Sequence, residues 1–286
     1  MNRLLLSQKL EEFLSEDIGT GDISTDYVFG EQEQSEGVFV AKEDGIVAGF
    51  EIGQEVYDLL ATDKFGASFM PLKEDGDYVH KGEVIAKAQG QTKILLSGER
   101  IILNLMQRMS GIATATNQAI KILDDPTIQI VDTRKTAPGL RLFDKAAVRL
   151  GGGKNHRYAL YDMVMLKDNH ISFCGSITKA VQRVRKSINL ATKIEVEVTS
   201  LEQLKESLDN QVDIVMFDNM DPWMIKDLME VVKGYRDRGN KVLIEASGGI
   251  NLANIANYKN SGVDYISLGF LTHSVHALDI SFVENI

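Results

Sequence analysis

The sequence predicts an α/β protein in which a partial α/β barrel of about six strands follows a smaller N-terminal α/β region. Six short apolar runs recur after residue 127, and each one ends in charged, polar or small residues. Helical stretches lie between most of these runs, as expected for a parallel sheet that is covered by helices. Six runs instead of eight favour a smaller or modified barrel, and an open doubly wound sheet is the alternative.

The first third of the chain mixes one helix with short strands. Residues 1–17 contain only a three-residue apolar run before charge returns, which favours an amphipathic helix over a signal peptide. Ranges 36–50 and 75–90 hold β-branched and aromatic residues punctuated by Gly and Asp, a pattern that predicts β-hairpins. A long helix is predicted from about Ser97 to Leu123, where apolar residues recur at helical spacing.

The rest of the chain carries the barrel strands. Their runs are 128–135, 163–170, 193–200, 213–220, 241–249 and 264–270. In a closed α/β barrel the carboxyl ends of the strands converge on one mouth, where active sites lie. We expect an N-terminal domain at 1–112, a barrel domain at 113–270, and a C-terminal segment at 271–286 that packs back onto the first domain.

Charge is distributed unevenly along the chain. The net charge is −10, which argues against general nucleic-acid binding because that needs a basic face. The window from Asp132 to His170 is nevertheless +4, so the remainder carries −14. Its cations are Arg134, Lys135, Arg141, Lys145, Arg149, Lys154, Arg157 and Lys167. The pattern predicts one local site for anionic ligands in a chain that otherwise repels its neighbours.

The predicted strand ends supply a candidate site at the barrel mouth. Its members are Arg134, Lys135, Lys167, Glu197, Asp218, the run Ser247–Gly248–Gly249, and Gly269. Arginine matches carboxylate or phosphate oxygens in pairs, and lysine acts as a point charge. A helix is predicted after the SGG run, so that free backbone N–H groups could meet a phosphate.

The two acids at this mouth have several interpretations. Glu197 and Asp218 could hold Mg²⁺, hydrogen-bond ribose hydroxyls, stabilise positive charge on a sugar carbon, or form salt bridges with the neighbouring cations. His156 and His170 are too few for a zinc site. The single Cys174 rules out an intrachain disulfide and suits a reducing cytoplasm. No stretch approaches the length of a membrane span, so no membrane partner is expected.

Several motifs together are similar to those of the quinolinate phosphoribosyltransferase family, over nearly the whole chain. They are EDIGTGDIST, GERIILNLMQRMSGIATAT, DTRKTAPGLR, GGGKNHR, LKDNH, EVEV, FDNM and EASGGI, in the family's order. The combination of TRKT, GGGxNHR and KDNH is highly specific. The departure of TAP from the commoner TTP touches no charged position.

The resemblance implies a decarboxylating phosphoribosyl transfer. Quinolinate and 5-phosphoribosyl-1-pyrophosphate, with Mg²⁺, would give nicotinate mononucleotide, pyrophosphate and CO₂ for NAD biosynthesis. It also implies an N-terminal open α/β sandwich and a homodimer or hexamer. Because the pyridine nitrogen is itself a nucleophile, no activated Ser, Cys or base is required, and catalysis would rest on alignment and electrostatic support.

The resemblance also implies a role for each matched residue. Lys135, Glu197 and Asp218 would be catalytic, and the two acids would serve the ribose and Mg²⁺, directly or through substrate or water. Arg100 would complete the neighbouring subunit's site. The expected substrate-binding residues are Arg100, Thr133, Arg134, Lys135, His156, Arg157, Lys167, Glu197, Asp218, Ser247, Gly248, Gly249 and Gly269.

Three alternative interpretations of the sequence stay open. Relatives linked to molybdenum transport share the fold and much of the TRK and HR pattern, but their KDNH segment is altered. An aldolase-type barrel could use Lys167 as a Schiff-base lysine. The range 74–90 is similar to the hairpin of lipoyl and biotinyl carriers, although no MKM-like attachment lysine follows.

Overall fold

The computed structural model describes residues 1–284. Two units are compact by their internal contacts. Among the described residues the first contains Met1–Asn117, Thr136–Gly152 and 272–284, and the second contains Gln118–Lys135 and Gly153–Leu271. Within the described residues no helix combines the length and apolar character that crossing a membrane requires.

Helices occur in both units. They are α1 (Arg3–Ile18), α2 (Ile23–Val28), α3 (Phe50–Leu60), α4 (Thr92–Leu123), α5 (Arg141–Leu150), α6 (Asp168–Cys174), α7 (Ile177–Arg185), α8 (Leu201–Asp209), α9 (Pro222–Arg236) and α10 (Phe270–His273). A 3₁₀ turn covers Ile255–Tyr258. The strands are β1 (Gln34–Ala41), β2 (Gly45–Ile46), β3 (Ala67–Pro71), β4 (Tyr78–Val79), β5 (Val84–Gln91), β6 (Gln129–Val131), β7 (Val164–Leu166), β8 (Ile194–Val198), β9 (Ile214–Asp218), β10 (Leu243–Ser247), β11 (Tyr265–Ser267) and β12 (Ile280–Glu284).

The first unit is built on an antiparallel sheet with the strand order β12-β1-β5-β3. Its core includes Phe39, whose ring lies 5.1 Å from that of Phe69 and 4.7 Å from that of Phe282. Because Phe282 belongs to β12, the end of the chain completes this core. Helix α3 packs on β3 and α1 packs on α3, which places helices against the sheet.

The second unit contains a six-stranded parallel sheet with the order β6-β11-β10-β9-β8-β7. If the strands are placed on a ring, β7, β8, β9, β10, β11 and β6 follow one another as neighbours, in the order of the chain. The only neighbours on this ring that do not pair are β6 and β7. The sheet is therefore a barrel that is open on one side, as the six apolar runs predict. At this opening an isolated parallel bridge joins Val131, the last residue of β6, to Lys154.

Two helices of the second unit begin at capping side chains. Ser176 accepts a hydrogen bond from the Lys179 N–H at the start of α7, and Ser200 accepts from the Gln203 N–H at the start of α8. Such caps satisfy backbone donors that have no partner within the helix. Strand β8 thus ends in a short polar loop that leads into the capped helix α8, and this loop follows the strand end that carries the predicted site residue Glu197.

Two predictions about the first unit are wrong. The ranges 36–50 and 75–90 do not form hairpins, because β1 pairs with β5 and β12 while β2 pairs with β4. Short strands are present in both ranges, but their partners lie elsewhere in the chain. The long helix α4 also begins at Thr92, five residues before the predicted start.

The predicted domain boundaries stay a prediction. Thr136–Gly152 belongs to the first compact unit, whereas the boundary at 113 had placed it in the barrel. Strand β12, in the predicted segment 271–286, pairs with β1. Positions 285 and 286 of that segment lie outside the described residues.

Candidate active site

A cavity of about 340 Å³ lies at the carboxyl ends of the parallel strands. Every strand of the six-stranded sheet, or the loop that follows it, contributes to its wall. The residues that line it are Thr133, Arg134, Lys135, His156, Arg157, Met165, Lys167, Glu197, Met216, Asp218, Asn219, Glu245, Ser247, Gly248, Gly249 and Ser267. Eleven of the thirteen residues predicted for substrate binding are in this set.

The loop after β6 supplies the first cations. The Lys135 N–H donates to the Thr133 hydroxyl at 3.0 Å, which holds the Thr-Arg-Lys turn. The Nη1 atom of Arg134 is buried and has no hydrogen-bond partner among residues 1–284. A buried guanidinium nitrogen without a partner is costly, and an anionic ligand is the group that would satisfy it.

Arg157 forms the second cationic part of the wall. Its Nη1 donates to the Met163 carbonyl at 3.0 Å, which fixes the direction of the guanidinium. Burial, followed by the positive charge of Arg134, lowers the pKa of Arg157. Two guanidinium groups that repel each other across one cavity favour a ligand with negative charge between them.

The loop that carries His156 is held from below by Asp132, which is fully buried. Asp132 accepts from the His156 N–H at 2.9 Å and from the Asn155 side chain at 2.5 Å. Both of these residues belong to the GGGKNHR motif. A buried carboxylate that accepts two hydrogen bonds therefore fastens this loop next to the end of β6.

An ion pair joins the cationic and acidic sides of the cavity. Lys167 Nζ lies 2.6 Å from Glu197 Oε2, and the Glu197 side chain is only 12% exposed. The salt bridge that the sequence left open as one interpretation of Glu197 is therefore present. Asp218 ends β9, and Asn219 donates to its carboxylate at 3.2 Å.

The turn after β10 brings backbone close to Asn219. Gly248 has a φ of +90°, and a Cβ added to it would lie 2.3 Å from Asn219 Oδ1. Gly249 also has a positive φ, of +62°. Only glycine meets both requirements at Gly248 without strain. The helix predicted after this turn is wrong, because only the 3₁₀ turn Ile255–Tyr258 follows.

Two predicted site residues are outside this cavity lining. Gly269 follows β11 and directly precedes α10, two positions after Ser267, which does line the cavity. Arg100 lies on α4 in the first unit, where it is exposed and donates to Asn104 Oδ1 at 2.7 Å.

Sequence reasoning missed several residues of the cavity wall and floor. Glu245 lines the cavity, and Glu195 lies fully buried beside His156. The signal that could have found them is an acid inside an otherwise apolar strand, in IEVEV and in LIEAS. Asn219, which packs against Gly248, gave no sequence signal beyond its place after a strand.

A larger cavity of about 560 Å³ lies where β9 and β10 begin, far from every predicted site residue in the sheet register. Three of its polar side chains contact one another. Tyr235 donates to Asp209 at 2.7 Å, and the Arg238 guanidinium lies 4.4 Å from the centre of the Tyr235 ring. Active sites of such barrels lie at the carboxyl ends of the strands, so the smaller cavity is the candidate active site.

The fold and the cavity together define an α/β-barrel protein with an anion-binding site at the carboxyl ends of its strands. The family models match almost the whole chain. "Quinolinate phosphoribosyl transferase, N-terminal domain" matches residues 22–110, and "Quinolinate phosphoribosyl transferase, C-terminal domain" matches residues 112–283. The chain belongs to the quinolinate phosphoribosyltransferase family.

Relatives agree with this assignment. The chain is 50% identical over 281 residues to a probable nicotinate-nucleotide pyrophosphorylase [carboxylating] of Bacillus subtilis, covering 98% of this chain and 94% of the relative. It is 43% identical to the chloroplastic enzyme of that name from Arabidopsis thaliana, covering 94% and 79%. The solved structure of NadC from Streptococcus pyogenes superposes with a TM-score of 0.92 at 37% identity, covering 99% and 97%.

Proposed function

We propose that this chain transfers the phosphoribosyl group of 5-phosphoribosyl-1-pyrophosphate to quinolinate and releases pyrophosphate and CO₂, giving nicotinate mononucleotide for NAD biosynthesis. Family membership supports the reaction, and curated relatives carry both directions in their names, [carboxylating] and [decarboxylating]. The observation that carries the proposal is the cavity in which Arg134, with its buried Nη1, faces Arg157. A planar dicarboxylate supplies the paired oxygens that such groups bind.

The cationic wall is assigned to quinolinate. Arg134, Lys135 and Arg157 would bind its two carboxylates and so direct the pyridine nitrogen towards the sugar. Fixing the two reactants in line accounts for a large part of the rate, since the reaction then proceeds as if within one molecule. The ring nitrogen attacks C1′, the bond to pyrophosphate breaks, and the bond electrons leave with pyrophosphate.

The acidic side and the glycine turn are assigned to the sugar donor. Glu197 and Asp218 would face the ribose, where carboxylates stabilise positive charge that develops on C1′. The turn at Gly248 and Gly249 would hold the 5′-phosphate through backbone N–H groups. After transfer, the carboxylate next to the ring nitrogen leaves as CO₂, the cationic ring accepts the electron pair at that carbon, and the carbon takes up a proton.

A Mg²⁺ ion is part of the proposal. Glu197 and Asp218 offer hard oxygen donors at the cavity, and Mg²⁺ is commonly held by one or two carboxylates together with substrate phosphates. When bound, the ion would neutralise the departing pyrophosphate. Turnover is therefore expected to stop in excess EDTA and to return when Mg²⁺ is added, and full activity in EDTA would contradict this part.

The Schiff-base alternative is disfavoured by the pairing of Lys167 with Glu197 at 2.6 Å, because the ion pair occupies the nitrogen that would have to attack a carbonyl. Borohydride treatment with a carbonyl substrate is expected to leave no adduct on Lys167. The carrier-hairpin alternative is also disfavoured, because β4 and β5 do not pair with each other.

A homodimer or hexamer in the cytoplasm, with Arg100 completing the neighbour's site, belongs to the same proposal. The exposed position of Arg100 on α4 is compatible with a role towards a second subunit. Mixing inactive Arg100→Ala subunits with inactive Lys135→Ala subunits should restore part of the activity after verified exchange. No recovery would show that each site is complete within one chain.

The reaction itself is tested by incubating the purified chain with quinolinate, the phosphoribosyl donor and Mg²⁺. Nicotinate mononucleotide, pyrophosphate and CO₂ should form in equal amounts. Nicotinate in place of quinolinate is the control, and it should give little product because it lacks one of the two carboxylates. Equal turnover of both acids would contradict the assignment of quinolinate as substrate.

A further inference from the structure

At the floor of the cavity, His156 lies between two buried carboxylates from strands that flank β9. Its Nε2 is 3.0 Å from Glu195 Oε2 and 3.2 Å from Glu245 Oε2. The Glu195 and Glu245 side chains are 0% and 2% exposed. Within residues 1–284, this is the one group of three side chains whose ligand atoms come close enough together to hold a metal ion.

The hydrogen bonds of the His156 ring argue against a metal ion here. The Arg157 backbone N–H points at Nδ1 from 2.8 Å, so Nδ1 keeps its lone pair and the ring proton lies on Nε2. The Nε2 proton then lies towards the two carboxylates, whose nearest oxygens are 3.0 and 3.2 Å away, and Nε2 has no lone pair for a metal ion. The cluster is therefore a polar support for the ring.

The pKa of the His156 ring agrees only in part with a single proton on Nε2. Burial lowers the pKa of His156, but the hydrogen bonds and charges of Glu195 and Glu245 outweigh it and raise the pKa to about 10. That value favours a second ring proton, which the Arg157 N–H opposes, since two donors would face each other. The close contact at Nδ1 decides for a single proton on Nε2.

Stability alone does not account for two acids at these positions. In the sheet register Glu195 lies beside Ile214, and Glu245 beside Met216, so each has an apolar neighbour on β9. Among the described residues, neither oxygen of Glu195 nor Oε1 of Glu245 has a partner with hydrogen-bond geometry. Buried carboxylates of this kind are often replaced by apolar residues at no loss of stability. A role in the site explains their presence better.

We propose that Glu195 and Glu245 are positioning residues that hold the His156 ring, and through its Nδ1 the backbone of Arg157, in the conformation that binds quinolinate. The proposal rests on the proposed function. Asp132 fixes the backbone of this loop, and the two carboxylates fix its ring. With both in place, the cationic wall is set before the substrate arrives, which saves the cost of ordering it during binding.

The negative charge of the two carboxylates and their role as hydrogen-bond acceptors have opposite effects on quinolinate binding. This difference makes the proposal testable. Acting as charges alone, two carboxylates behind the cavity would repel a dianion, so removing one would tighten quinolinate binding. Acting as hydrogen-bond acceptors for Nε2, they would help binding. Glu245→Met and Glu195→Met remove the acceptor and keep the volume approximately, whereas Glu245→Gln and Glu195→Gln remove the charge and keep an acceptor oxygen.

The experiment measures KM for each substrate in the full-length variants. Each Met variant should raise the quinolinate KM by about tenfold or more, which corresponds to one lost hydrogen bond to a buried group. The KM for the phosphoribosyl donor should change by less than about twofold. Each Gln variant should recover most of the quinolinate affinity. Ile214→Met is the matched control, since it alters the buried position beside Glu195 in the sheet without removing a polar group.

Several outcomes overturn the proposal. An unchanged or lower quinolinate KM in both Met variants would leave the carboxylates without a positioning role. A parallel loss for both substrates would indicate a structural role only. Nitrogen-15 NMR of His156, one of five histidines, provides a readout without substrate. In the wild type the ring should carry one proton, on Nε2, and in the Met variants this proton should be exposed to exchange with solvent. A wild-type chain with that signal but no turnover would refute the proposed function instead.

Discussion

The glycine turn after β10 gives a prediction that a matched pair of variants can test. A Cβ at Gly248 would lie 2.3 Å from Asn219 Oδ1 and 2.8 Å from the Asn219 backbone nitrogen. A side chain can rotate away, but the backbone contact is relieved only by moving Asn219 itself. At Gly249 the nearest atom to an added Cβ is 3.9 Å away, although φ is positive there too. The two alanine variants therefore share the strain and differ in the collision.

The magnitude follows from these two contributions. A left-handed backbone costs a residue with a Cβ about 1–2 kcal/mol, and both variants carry this cost. Moving Asn219 also breaks its N–H bond to the Ser247 carbonyl, 2.9 Å long, which adds about 1 kcal/mol. Gly248→Ala should therefore lose about 2–3 kcal/mol of unfolding free energy, and Gly249→Ala about 1–2 kcal/mol.

Binding of the phosphoribosyl donor should follow the same order. Gly248→Ala displaces the backbone that we assign to the 5′-phosphate, so its KM for the donor should rise by about tenfold or more, the equivalent of about 1.4 kcal/mol. Urea unfolding and steady-state kinetics at saturating quinolinate measure the two effects. Equal stability of the two variants, or an unchanged donor KM in Gly248→Ala, would refute this account of the turn.

Two further predictions concern acids of the first unit, one fully buried and one half-buried. Asp144 is fully buried and accepts from Arg108 Nε at 2.7 Å and from Arg108 Nη2 at 2.9 Å. Asp144→Asn should therefore lower the free energy of unfolding in urea by about 2–4 kcal/mol. A loss below about 1 kcal/mol would contradict this prediction. Burial raises the pKa of Asp75 above 3.8, against the lowering effect of the Phe50 and Gly49 N–H groups at the start of α3. Its stabilising contribution is therefore complete below pH 3.8 and is lost as the pH rises through the raised pKa. Asp75→Asn should remove this pH dependence, whereas Asp75→Ala should also lose about 1–2 kcal/mol, and identical pH profiles for wild type and Asp75→Asn would contradict the reasoning.

The site was predictable to the extent that it depends on strand ends. Parallel strands place their carboxyl ends at one edge, so Lys167, Glu197 and Asp218 could be expected together without knowing any distance. The inner layer below was not predictable in the same way. In IEVEV both acids point to the same side of the strand, but only the register with β7 and β9 shows that Glu195 lies one layer beneath the cavity.

The errors in the first unit have one physical cause. Local alternation and turn residues predict that a segment is a strand, but not which strand it pairs with. Strand β1 pairs with β12, more than 230 positions later, and no local pattern near residue 40 contains that information. The helix expected after the SGG run fails for a local reason: the side chains of Asn251 and Asn254 both donate to the Gly249 carbonyl and favour a turn.

The most direct test of the central claim is a calorimetric titration of the purified chain with quinolinate. A cavity that binds the dianion through Arg134 and Lys135 predicts one site per chain in the wild type and affinity at least about tenfold weaker in Arg134→Ala and in Lys135→Ala. Unchanged affinity in both variants would show that quinolinate binds elsewhere, and the account of this cavity would be wrong.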